Sequence, residues 1–251
     1  MTDGGQNISG TGAAGGAGPD FDFIQLLCHE LKAPLSAVRG YLRMIESRGM
    51  GDDMSSYDAM IKRCLFRLDG MGGLIVDILC LARARGFPPG MPGAADLVKT
   101  ALNAVDRIAP EAREKDVTIS LDAPESPFPA DIPETAAAII MDNLLSNAVK
   151  YNRAGGSARL SLAPAESGAV RIAVSDTGIG IEEKEIPRLF DDFVRIKNDQ
   201  TRDIPGSGLG LSAVKILAEL CGGSVSVESR PGEGSVFTVT TGLRPKERTL
   251  K

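Results

Sequence analysis

A chain of 251 residues has room for one large domain or two modest ones, each with its own hydrophobic core. Its 43% hydrophobic and 24% charged residues are ordinary for a soluble protein, and no apolar run approaches the ~20 residues of a membrane helix. A net charge of −5 and a pI near 5.1 give no electrostatic support for binding nucleic acid or a membrane surface.

Residues 1–19, rich in Gly, Ala and Ser, lack the basic start and apolar core of a signal peptide and read as a flexible linker or cloning remnant. From Phe21 to Arg48 the apolar positions Ile24, Leu27, Leu31, Leu35, Val38, Leu42 and Ile45 step by threes and fours, which predicts one stripe of a long helix ended by Gly49 and Gly51. Tyr57, Ile61, Cys64, Leu68, Met71, Ile75, Ile78 and Ala82 then alternate steps of four and three, a coiled-coil seam. Residues 20–85 are therefore expected to form a helical hairpin. Two helices cannot enclose such a stripe alone, so two hairpins are expected to pair in a homodimeric four-helix bundle. A purely architectural dimerisation stalk fits the spacing equally well.

The stretch Gly86 to Gly93 breaks any helix through its prolines and glycines and is the expected interdomain linker. Residues 94–244 mix element types: helix from Ala95 to about Lys115, strand near Val117 to Leu121, and helix from about Pro133 to Tyr151. Strands follow near Ser157 to Ala163 and Val170 to Ser175, then a helix starting at Ser207, then strands near Val225 to Ser229 and Val236 to Thr240. That order predicts an α+β sandwich, with residues 245–251 as a tail. Cys28, Cys64, Cys80 and Cys221 form no CxxC pair and read as buried small hydrophobes in a reducing cytoplasm.

His29 is the only histidine. At 100° per residue it falls roughly 160° from the apolar stripe of its helix, and so points to solvent. An incidental surface histidine is the plainer reading, but its neighbours favour chemistry. Glu30 can hold one imidazole nitrogen protonated and leave the other free to attack phosphorus. Pro34 lies mid-helix, where its ring crowds the carbonyl of Glu30 at a cost of about 3 kcal/mol, so a kink beside the histidine is expected.

The second domain carries further motifs in order. On the helix ending at Tyr151, Asn143, Asn147, Lys150 and Tyr151 share one face between about −20° and 80°, with Leu144, Leu145, Ala148 and Val149 on the other. An amide oxygen suits Mg²⁺ and a lysine can meet phosphate. Asp176-Thr177-Gly178-Ile179-Gly180 follows a strand; an ionised Asp accepts from the exocyclic amine of adenine and repels the carbonyl of guanine, while Gly178 and Gly180 let backbone approach a ring. In Phe190-Asp191-Asp192-Phe193-Val194-Arg195 the aromatics tether a loop and Arg195 can reach phosphate, and Ile196 to Pro205 is polar like a lid. Gly206-Ser207-Gly208-Leu209-Gly210-Leu211 opens a helix whose N–H groups favour phosphate, without the Lys-Ser/Thr of a Walker A motif. Each motif alone is ordinary turn chemistry or a solvated helix face.

Taken together the motifs resemble a known family. His29-Glu30-Leu31-Lys32-Ala33-Pro34-Leu35 is similar to the H-box of sensor histidine kinases, and the four later motifs resemble their N, G1, F and G2 boxes, over about Phe21 to Gly242. Many relatives carry Thr or Asn four positions after the histidine; here it is Ala33, a departure that bears on phosphatase activity. The resemblance implies a dimerisation and phosphotransfer domain followed by a Bergerat-type α/β sandwich that binds ATP. It implies phosphorylation of His29 with Glu30 as general base, and transfer onward to an aspartate of a response regulator receiver domain. It further implies that Asn147 binds Mg²⁺, Asp176 reads adenine, Asn143, Lys150 and Arg195 approach phosphates, and Gly206, Gly208, Leu209 and Gly210 lie in the loop that clasps them. The expected location is cytoplasmic, with a parent protein that can be membrane-anchored. Two alternatives stay open: another ATPase of the same superfamily, which would need a transducer domain after the nucleotide site, and a dimeric scaffold that binds nucleotide without transfer.

Overall fold

The computed structural model describes residues 19–51, 53–88, 93–196, 198–202, 204 and 206–241, without the side chains of 19–26 and of Ser167. The expected tail, residues 1–18 of the expected N-terminal linker and residues 89–92 of the interdomain linker lie outside this set. The chain divides into two compact units, Met1–Met71 and Gly72–Lys251.

In the first unit, helix α1 (Pro19–Glu46) runs on through Pro34. Arg48 and Gly51 then adopt left-handed φ of 51° and 94°, a conformation that ends a helix. Tyr57, 1% exposed, ties this turn: its hydroxyl donates to the Gly51 carbonyl at 2.7 Å and accepts from the Met50 N–H at 3.0 Å. Helix α2 (Asp58–Gly86) follows a 3-10 turn at Met54–Tyr57 that Asp53 caps. The hairpin is packed where Val38 meets Cys64, both buried, with the Cys64 thiol 3.9 Å from the Val38 carbonyl. Part of the expected stripe and seam stays open in one chain: Leu35 and Leu42 on α1 and Ile61 and Leu68 on α2 are exposed. Cys28 is exposed too, contrary to expectation, because it sits beside His29 on the outer face of α1.

The units divide inside α2 rather than at the proline-glycine stretch, and packing explains this. In the second half of α2 the buried residues are Leu74, Leu81 and Ala84, not the expected Ile75, Ile78 and Ala82. Asp77 and Arg85 share that face. The Ser207 hydroxyl donates to Asp77, and Arg85 pairs with Asp192 at 2.7 Å. This half of the helix thus belongs to the second unit.

The core of the second unit is a five-stranded sheet covered by helices. Helix α3 (Leu97–Glu114) is preceded by β1 (Ala95–Asp96), where continuous helix was expected; β1 pairs antiparallel with β3 (Pro129–Ala130). Asp96 explains the switch. Its carboxylate accepts from Val98, Lys99 and Phe128 N–H groups and from the Ser126 hydroxyl, capping α3 and holding the ribbon. These bonds, that of Phe128 foremost, hold its carboxyl below the usual aspartate value.

The large sheet has the order β2-β4-β5-β7-β6, from β2 (Thr118–Asp122), β4 (Ser157–Pro164), β5 (Val170–Asp176), β7 (Gly234–Thr240) and β6 (Ser224–Arg230). Only β2 and β4 are parallel, and the crossover between them contains α4 (Glu134–Lys150), as a parallel pair requires. Alternate residues Ala158, Leu160, Leu162, Val170, Ile172 and Val174 are buried. Helix α5 (Gly210–Leu220) contributes the fully buried Leu217. The arrangement is the α/β sandwich expected. Among the described residues no helix is long and apolar enough to cross a membrane.

Candidate functional site

Helix α4 divides its faces as its spacing predicts: Leu144, Leu145, Ala148 and Val149 are buried, and Asn143, Asn147, Lys150 and Tyr151 are half-buried on the other side. Asn143 donates from Nδ2 to the Ile139 carbonyl at 2.8 Å. A Cβ on Gly210 would stand 2.4 Å from Asn143 Oδ1, so α5 begins close against this polar face, and a side chain at 210 would displace the amide. Burial pushes the Tyr151 phenol up; the positive charge of Arg195 opposes the shift and Asp77 adds to it.

Asp176 ends β5, and its Oδ1 accepts from the Gly178 N–H at 2.8 Å. Burial raises its pKa, partly offset by backbone N–H bonds from Gly178 and Ser235. A Cβ at Gly178 would meet the Tyr151 carbonyl at 2.3 Å, and the Ile179 N–H donates to that carbonyl at 3.1 Å. The backbone of this turn is thus pressed against the end of α4. Gly180 holds a left-handed φ of 67°.

The remaining two motifs interlock. Phe193, at a strained φ of 62°, donates its N–H to the Gly208 carbonyl at 3.1 Å. Gly208, at φ 79°, leaves no room for a Cβ, which would stand 2.7 Å from the Phe193 and Val194 backbone. The α5 helix starts at Gly210 rather than Ser207, because the buried Ser207 hydroxyl accepts from the Leu209 N–H at 3.0 Å and forms a turn instead. The N-cap residue Leu209 supplies no side-chain cap, and among the described residues none is seen at the first N–H groups of α5, which suit an anion. A Cβ on Gly206 would lie 3.9 Å from the Tyr151 hydroxyl. Arg195 donates to the Ile204 carbonyl, on the loop expected to act as a lid. The structure therefore gathers Asn143, Tyr151, Gly178, Arg195, Gly206, Gly208, Leu209 and Gly210. Asn147 and Lys150 share the α4 face. His29 and Glu30 are exposed on α1 in the other unit, with the imidazole outward as expected.

Residues 133–245 match the family described as histidine kinase-, DNA gyrase B- and HSP90-like ATPase. An uncharacterized sensor-like histidine kinase of Rhizobium meliloti is 33% identical over 222 residues, covering 87% of this chain and 42% of that protein. The chain belongs to the sensor histidine kinases. The crystal structure of ShkA, solved in complex with AMPPNP, is 27% identical with a TM-score of 0.60, over 88% of this kinase chain and 45% of ShkA. Histidine kinase ThkA, solved in complex with response regulator protein TrrA, shares the fold at 17% identity and a TM-score of 0.69, over 90% of this chain and 63% of ThkA. The kinase chain thus spans under half the length of its Rhizobium relative.

The donor set on the α4 face fits magnesium. Among the described residues no group of three or more His, Cys, Asp or Glu could cage a metal. The half-buried amide of Asn147 on the α4 face is a neutral oxygen donor of the kind accepted by an ion that keeps waters and takes few protein ligands.

Two features of this site have little or no signal in the sequence. Asn152 and Thr177 form a hydrogen-bonded knot behind Asp176. An Asn just past a helix end is a recognisable capping signal, but its partner is not legible. The bond between Asp77 and Ser207 has no local signal at all.

Proposed function

We propose that this chain transfers the γ-phosphoryl group of Mg-ATP to His29, and then to an aspartate of a response regulator receiver domain. In the first step an imidazole nitrogen of His29 forms a bond to the γ-phosphorus, the bond to the β,γ-bridging oxygen breaks and ADP leaves. Glu30 takes the proton released from the other ring nitrogen. Asp176 accepts from the adenine amine, while Asn143, Lys150, Arg195 and the glycine loop hold the phosphates. Asn147 would hold Mg²⁺, which would supply charge neutralisation during the transfer.

The observation that carries this reading is the convergence of the α4 face, the Asp176 turn and the uncapped start of α5 in one unit, within a chain whose other unit exposes its only histidine. ShkA with AMPPNP supports a triphosphate ligand, and ThkA with its regulator supports the acceptor. Exposed Leu35, Leu42, Ile61 and Leu68 support a homodimer through the hairpin, and the chemistry fits a cytoplasmic location. With γ-labelled ATP and Mg²⁺ the purified protein is expected to take up acid-labile, alkali-stable label. His29→Gln is expected to abolish it, and label persisting in that variant would overturn the assignment.

A further inference from the structure

The Asp176 turn does not stand on its own backbone. Thr177, next in the chain, is bound at three points. Its N–H donates to the Ser157 carbonyl at 3.1 Å, and its hydroxyl accepts from the Ser157 N–H at 2.9 Å. That hydroxyl donates in turn to Asn152 Oδ1 at 3.3 Å. Asn152 Nδ2 donates at 2.9 Å both to the Ala148 carbonyl, in the last turn of α4, and to the Ser157 carbonyl, at the start of β4. Its Oδ1 also accepts from the Arg153 N–H at 3.0 Å. One carboxamide therefore joins the end of α4, the first residue of β4 and the turn that carries Asp176.

The knot is tightly enclosed. A Cβ on Gly156 would stand 2.1 Å from Asn152 Oδ1 and 2.9 Å from the Thr177 hydroxyl, so only glycine fits there. On the far side of the same turn, Ile179 N–H to Tyr151 carbonyl makes a second rung. The turn is thus clamped to α4 at both ends, with Gly178 closed against Tyr151 between them. The functional consequence follows from reach. Helix α4 carries Asn143, Asn147 and Lys150 toward the phosphate end, and the turn carries Asp176 toward the base.

From this geometry we infer that Asn152, acting through the Thr177 hydroxyl, is a positioning residue that fixes Asp176 relative to α4 and so sets selectivity for the 6-amino group of adenine. The inference rests on the reading of Asp176 as the adenine acceptor. A hydrogen bond to a base amine weakens steeply when its acceptor shifts or swings, whereas phosphate contacts from α4 and the glycine loop do not depend on this clamp.

The test compares ADP with purine-riboside diphosphate, which lacks the exocyclic amine, by calorimetry on the whole chain. The parent protein is expected to bind ADP ~10-fold or more tighter, since a site built to hydrogen-bond an amine leaves its acceptor unpaired without one. Thr177→Val removes the hydroxyl at nearly constant shape, and Asn152→Ala removes the carboxamide. In both, the preference is expected to fall about fivefold, mainly through loss of ADP affinity, while Thr177→Ser retains it. A folded Thr177→Val with the parent preference, or with both ligands weakened equally, would overturn the inference and leave Asn152 a structural cap. Thermal melts establish that each variant is folded, and Thr177→Val decides the matter if Asn152→Ala is not. A parent protein without preference would overturn the Asp176 reading itself, and the inference with it.

Discussion

Asp176 sits where its own charge is disfavoured, because burial outweighs the two backbone N–H bonds it receives. An acid with a raised folded pKa keeps its proton to higher pH in the folded chain than in the unfolded one. Below the unfolded aspartate value both states are protonated and stability is unaffected. As pH rises through that value toward the raised folded one, the folded state loses stability, and above it the loss is complete. Asp176→Asn should therefore melt higher than the parent protein at pH 7, with the gap closing below about pH 4. The same variant should lose ADP binding in calorimetry. A variant melting lower at pH 7 would mean that the carboxylate is structural. The amide can still accept from the Gly178 N–H, which keeps the comparison clean.

Helices α4 and α5 approach closely at the Gly210–Asn143 contact, and this packing brings the glycine loop over the polar face. Gly210→Ala would drive a methyl group into the Asn143 amide. That amide is the end of a side chain and can turn away, so the stability loss belongs at the low end of overpacking, about 1 kcal/mol. The displaced amide no longer faces the site, and ADP affinity should fall about tenfold. Adding Asn143→Ala to Gly210→Ala should restore the melting temperature but not the affinity. If Gly210→Ala binds ADP like the parent protein, the contact is incidental to nucleotide binding.

For the molecule as a whole, the decisive surface is the open stripe of the hairpin. Leu35 and Leu42 are 55% and 53% exposed in one chain, on the helix that presents His29. The proposed dimer would bury them. Leu35→Asp with Leu42→Asp is expected to sediment as a monomer while the sheet signal in circular dichroism and ADP binding persist. A monomeric parent protein would remove the four-helix bundle. Much of this was legible beforehand: α1, α2, α4, β4, β5 and the closing strands follow from hydrophobic period and glycine-proline punctuation, and the outward turn of His29 from the 100° step alone. These are properties of residues close in sequence. The Ala95–Asp96 strand, the buried face of Leu74, Leu81 and Ala84, and the Asn152–Thr177 knot were not legible. The strand and the knot depend on partners brought near by the crossover between β2 and β4 and by the register of β4 and β5, and the second half of α2 meets Asp192 and Ser207, more than a hundred residues further along the chain. Period tells a segment that it has an apolar side, and the tertiary structure alone decides what that side meets.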